Sequence, residues 1–218
     1  MNFRIKILLV FVPLSFLLCF MSNTYSRYVA DATGNLKMSF AQWQILINNE
    51  DITNNTSSSI VLTPIIDENN YVKSNKIAPS STGYFDISID PSNVDVSFNY
   101  NISLKVLNEN MPDLMITKYA ILDSNFDEKK DTITYKDIEN NSINGSLDIN
   151  DMTVATNSDE ISTSSFEPFT IRICFEWYEG QNEQMNDEAD TLIGLDALNN
   201  ELEIEAKIKF EQKLKETV

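Results

Sequence analysis

The chain is expected to fold as an all-β protein, an antiparallel β-sandwich of jelly-roll type, and three stretches carry that expectation. In YFDISID, Phe85, Ile87 and Ile89 share one face of an extended chain. In VDVSFNYNISL, Val94, Val96, Phe98, Tyr100, Ile102 and Leu104 do the same. Near the end, ELEIEAKIKFEQKL sets Leu202, Ile204, Ala206, Ile208, Phe210 and Leu214 against charged residues, with Gln212 the exception. A period of two is the mark of a half-buried strand, whereas a helix would scatter these side chains around its circumference.

A leader precedes the strands. Met1 to Lys6 carries Arg4 and Lys6 and no acid, and Ile7 to Met21 is apolar apart from Ser15. That run is 15 residues long and broken by Pro13, while a spanning helix needs about 20 apolar residues. A basic start, a short apolar middle and then small residues describe a secretory signal peptide. In SNTYSRYVADATG (22–34), Thr24 and Ser26 are the small residues and set the cut before Arg27. Leu17 and Leu18 are too large for a lipid-attachment site at Cys19. The expected organisation is a signal peptide over 1–26 and one secreted domain over 27–218, touching a membrane only through an uncut leader.

Removing 26 of the 218 residues leaves 192, enough for one domain with a sizeable core and no staples. The formal charge of −17 becomes −19 once the two leader cations leave. Such acidity repels nucleic acid and anionic membranes, whose binding relies on Lys and Arg. It favours solubility outside the cell. Cys174 is then the sole thiol, so no internal disulfide forms. Its place in the apolar run TIRICFEW predicts a small buried hydrophobe rather than a nucleophile.

Along the domain, strands are expected at Leu36–Ile47, Ser59–Ile66, Leu114–Leu122 and, more weakly patterned, Ile143–Ile149. The residues Pro91-Ser92-Asn93 read as a turn joining the 85–89 and 94–104 strands into a pair. Phe169, Ile171, Ile173 and Phe175 form another strand running into Trp177. Turn chemistry falls at Asn48–Asp51, Asn54–Ser58, Asp67–Asn70, Ala78–Gly83 and Asn108–Pro112. Short helices are expected at Thr134–Glu139 and Glu188–Leu198, inside longer polar loops. Several short strands with regular turn signals describe a sandwich.

The chain contains no His. Open zinc sites and Ser–His–Asp triads therefore lack their usual ligands and base. No GxGxxG or GxxxxGK[ST] stretch is present to hold phosphates. No catalytic residues are assigned. The acidic segment EGQNEQMNDEADTLIG (179–194) offers hard oxygens for Ca²⁺ at Asp187, Glu188 and Asp190, though not at EF-hand spacing. Against that stands a plainer reading, in which Asp190-Thr191 caps a short helix. Trp43 and Trp177 read as core or sheet-face aromatics rather than a carbohydrate platform.

TYSRYVADATG after the apolar run resembles the processing region of Gram-positive proteins cut by a SipW-type signal peptidase, which commonly read TYA-[YF]-x-D. Ser26 and Arg27 depart from that pattern. FAQWQILINNEDIT (40–53), IAPSSTGYFDISID (77–90) and WYEG…NDEADTLIG…FEQ (177–212) are similar to the TasA/camelysin (CalY)-like family of secreted matrix and surface proteins. The resemblance implies a jelly-roll sandwich assembling into extracellular biofilm fibres, alone or with a matrix accessory protein. It also implies that the freed N-terminal segment, 27–37 with Tyr28 and Val29, completes a neighbour's sheet. Camelysin-type proteins have been classed as metalloproteases, which a chain without His fits poorly. The expectation is a non-catalytic structural protein of the matrix or cell surface with no cofactor. The alternative is an extracellular module binding Ca²⁺, glycan or a matrix partner.

Overall fold

In Phe169–Trp177, inward and outward residues alternate so that Phe169, Ile171, Ile173, Phe175 and Trp177 are all buried. This strand runs through the middle of the larger of two stacked sheets. The computed structural model describes residues 38–53, 60, 62–107, 113–156, 162–179, 187–195 and 201–214, with 4, 7 and 11–16 of the leader. Two units separate, Met1–Ser39 and Phe40–Val218. In the first, 11–16 are helical, and the Ser15 hydroxyl donates to the Val12 carbonyl at 2.9 Å. Among the described residues, no helix is long and apolar enough to cross a membrane.

The second unit is all-β. Its elements are β1 (Trp43–Ile47), β2 (Glu50–Asp51), β3 (Ile65–Ile66), β4 (Thr82–Val94), β5 (Phe98–Val106), β6 (Leu114–Asp123), β7 (Lys136–Asp137), β8 (Ser142–Leu147), β9 (Thr153–Thr156), β10 (Ser162–Ser165), β11 (Phe169–Trp177), a helix α1 (Asp187–Leu195) and β12 (Ile204–Gln212). The large sheet runs β2-β1-β4-β11-β6-β7, with β3 also on β4. The small sheet runs β12-β5-β8, and β9 and β10 form a separate hairpin. Every pairing is antiparallel. From β4 onward the long strands alternate between the sheets, as in a jelly roll.

One core joins the sheets. Ile45, Ile47, Phe85, Ile87, Ile89, Ile171 and Ile173 enter it from the large sheet, and Phe98, Tyr100, Ile102, Leu104 and Ile143 from the small one. Asn48 and Asn49 sit at φ 49° and 68°. That is the left-handed geometry of the tightest hairpin turn, one that Asn tolerates better than most residues. The predicted turn at Asn48–Asp51 is thus a two-residue turn, with Glu50 and Asp51 already in β2.

Several expectations need correction. Pro91-Ser92-Asn93 is not a hairpin turn. It lies within β4, where the pairing Gln44↔Asn93 and Leu46↔Asp90 leaves Pro91 and Ser92 opposite one residue, a β-bulge. The bulge suits a proline, which has no N–H for the ladder, and it shifts the buried face from Ile89 to Val94. Strands β4 and β5 consequently lie in different sheets instead of pairing. The helix expected at Thr134–Glu139 is absent: 136–137 pair with Lys118 and Tyr119 of β6. The hairpin β9–β10 leaves no period-two signal, because TVAT and STSS carry too few apolar residues. Cys174 is half-buried on the outer face of β11, between the core residues Ile173 and Phe175, and is not part of the core.

Gly145 pairs with Tyr100 across β8 and β5. A methyl group there would collide with the ring and hydroxyl of Tyr100, which lean over the glycine. Gly194 in α1 has nothing within 4 Å of such a methyl. Gly145→Ala is therefore expected to lower stability by about 1–3 kcal/mol through overpacking. Gly194→Ala is expected to raise it by about 0.5–1 kcal/mol through helix propensity. Urea unfolding of the two variants reads both signs, and equal effects would contradict the packing at Gly145.

Candidate binding groove

Strand β12 pairs with β5 over its whole length, from Ile204↔Val106 to Gln212↔Phe98. Among the described residues, no strand pairs along its other edge. Its inward side chains show the consequence. Ile204, Ala206, Ile208 and Phe210 are only partly buried, whereas their facing β5 neighbours Ile102 and Leu104 are 0 % and 4 % exposed. A half-wet apolar face along an edge strand is incomplete packing: the hydrophobic gain scales with area removed from water.

That face forms one wall of a groove of about 1120 Å³. Trp43, Ile45, Ile47 and Phe85 of the large sheet line it as well, with Ile52, Ile60 and Leu62. Trp43 is fixed edge-on to Phe98 at 5.9 Å between centroids, so it serves packing and the groove together. Lys207 pairs with Glu205 at 3.2 Å, and Lys209 with Glu211. These cross-neutralised side chains alternate with the inward face of β12, and Glu203, Glu205, Lys207 and Lys209 also line the groove, so its surface is part apolar and part charged. Charged residues along an edge strand also discourage unselective pairing.

The predicted site residues fall elsewhere. Asp187 begins α1, Glu188 is exposed, and Asp190 is 9 % exposed. The Trp177 indole N–H donates to Asp190 Oδ1 at 3.0 Å. Asp190 therefore neither caps the helix, which starts three residues earlier, nor turns outward; it ties α1 to the end of β11. The turn DSNFDEKKD (123–131) spaces oxygens alternately, as calcium loops do. Its own chain takes them: Asp127 accepts from Lys130 Nζ at 2.6 Å and from the Lys129 N–H at 3.0 Å, and Asp131 from the Asp127 N–H at 2.8 Å. Among the described residues, no group of three His, Cys, Asp or Glu gathers as a metal site. The processing residues Thr24, Ser26 and Arg27 and the assembly residues Tyr28 and Val29 lie outside the described residues.

Sequence reading missed the groove. The alternation of β12 gave its inward face but could not reveal that, among the described residues, no strand pairs along its other edge. The fold and groove define an antiparallel sandwich with an open strand edge. No known family model matches the chain, and neither does any curated protein.

Ile102 and Ile208 are register partners on one sheet face, differing mainly in cover. Ile102→Ala is expected to cost about 2–5 kcal/mol, the range for a buried isoleucine, and Ile208→Ala less than half as much. Equal losses in urea unfolding would mean the groove is closed in solution. Asp190→Ala is expected to cost about 1–3 kcal/mol by stranding the Trp177 N–H, and Asp190→Asn, which keeps an acceptor oxygen, less.

Proposed function

We propose that the protein is a secreted, non-catalytic structural subunit of an extracellular matrix or cell surface, assembling when the segment freed by leader cleavage lies along β12 of a neighbour. The half-exposed inward face of β12, opening on a groove that Ile45, Ile47 and Phe85 line together with charged residues of β12, carries this reading. A strand laid there would cover that face and satisfy the edge of the small sheet, the usual logic of strand addition.

The segment 27–37 has matching length and pattern. Its eleven residues, RYVADATGNLK, reach about 36 Å when extended, and the nine of β12 about 30 Å. Tyr28, Ala30, Ala32, Gly34 and Leu36 fall on one face, and Arg27, Asp31, Thr33, Asn35 and Lys37 on the other, with Val29 the one apolar residue there. The first set suits the apolar part of the groove, and the second suits water and the charged residues of β12. Before cleavage, the leader would hold this segment back, so a SipW-type peptidase would act as the assembly trigger. The likeness to the TasA/camelysin-like family points the same way.

Electron microscopy and N-terminal sequencing test the proposal. Protein beginning at Arg27 is expected to form filaments, and protein beginning at Met38 to remain monomeric. A peptide of residues 27–37 should stabilise the shortened protein by about 2.7 kcal/mol at a hundred times its Kd, and Ile208→Asp should abolish that gain. Filaments from the shortened protein would refute strand donation. Absence of filaments from both forms would refute assembly itself.

A further inference from the structure

The outer face of the large sheet carries a second, independent feature. Ala120 and Leu122 of β6 are 1 % and 6 % exposed, yet neither belongs to the core between the sheets. Their register partners Arg172 and Thr170 lie on the same outer face of β11. What reaches this face is the connection 124–135. Its Glu128 meets Arg172 Nη1 at 2.7 Å, and its Tyr135 ring sits under Lys118 Nζ at 4.6 Å from the centroid.

Arg172 is held twice. Asp86, its cross-strand partner, accepts from Nε at 2.9 Å and from Nη2 at 2.8 Å. The guanidinium also lies 3.9 Å from the Tyr84 ring centre. The bonds to Asp86 are the leading reason its pKa is raised still further, with Glu128 adding to them against the opposing effect of burial. The pair Arg172–Asp86 neutralises the buried cation without help, and the Glu128 side chain is 59 % exposed. Letting Glu128 go thus leaves no unpaired buried charge, the costly outcome when an ion pair is broken. An exposed ion pair of this sort contributes little by itself.

Lys118, which holds the Tyr135 ring under its ammonium, is the register partner of Cys174, so the connection passes beside the thiol. Burial raises the pKa of both Tyr135 and Cys174. We propose that residues 124–135 form a strap latched by Glu128 on Arg172, and that its release exposes Cys174 while the sheet beneath stays folded. The strap guards an unpaired thiol in a chain that has no disulfide partner for it within the domain. It is a unit of low local stability on a sheet of high stability, so it opens separately from global unfolding.

Alkylation of the full chain by iodoacetamide tests this: a carbon–sulfur bond forms at the thiolate and iodide leaves. Peptide mass spectrometry reads Cys174 apart from Cys19. The Cys174 rate is expected to vary little with urea below the unfolding transition. Glu128→Gln should raise it about two- to fivefold, with the unfolding midpoint unchanged. Salt near 1 M, where the Debye length is about 3 Å, should accelerate the natural protein and not the variant. Hydrogen exchange of the Phe126 and Lys130 amides, bonded to Asp123 and Asp127 in the strap, should quicken in step with alkylation, which a change in thiol ionisation alone would not cause. A rate that rises with urea in parallel with global unfolding would overturn the proposal. So would a native rate equal to that of the unfolded chain, or a Glu128→Gln rate equal to the natural one.

Discussion

Phe98, fully buried, is met by three aromatic rings: Trp43 at 5.9 Å, Phe166 at 5.5 Å and Phe210 at 6.0 Å, all edge-on. These contacts tie β1 of the large sheet, the approach to β11, and β12 of the small sheet to one residue at the start of β5. Edge-to-face rings stabilise beyond their buried area, and here they also hold the two sheets in register. The rest of the sandwich depends on that junction, since the chain changes sheet immediately before Phe98.

The sheets it joins are unequal. Among the described residues, seven strands lie in one and three in the other, so these three strands do not cover the whole inner face of the large sheet. The groove beside β12 is the geometric remainder of that mismatch. On the opposite side of the large sheet, the connection 124–135 supplies cover that no third layer provides. Both features come from one constraint: apolar strand faces must be shielded, and the local supply of strands decides how.

Period-two patterning identified the inward faces of β4, β5, β11 and β12 by residue, because a strand's side chains alternate whatever it pairs with; for β6 it gave only the strand. The same patterning failed at Pro91, where a slip in phase looked like a turn and is a bulge. It failed again at β7 and β9–β10, which are too short or too polar to show a period. The acidic segment around Asp190 was noticed for its oxygens. Yet the role of Asp190 is set by Trp177, thirteen residues away, and no spacing rule links an indole to that carboxylate.

By itself, then, the sequence determined the class of fold and which side chains β4, β5, β11 and β12 turn inward, since both follow from local alternation of apolar and polar residues. Only the tertiary structure decided that β4 and β5 part into different sheets, that β12 pairs on one side only among the described residues, and that Arg172 reaches Asp86 across 86 positions of chain. Those outcomes depend on which distant strands become neighbours. Pairing of that kind is chosen by the summed packing of the whole core and leaves no local mark in the residues that carry it.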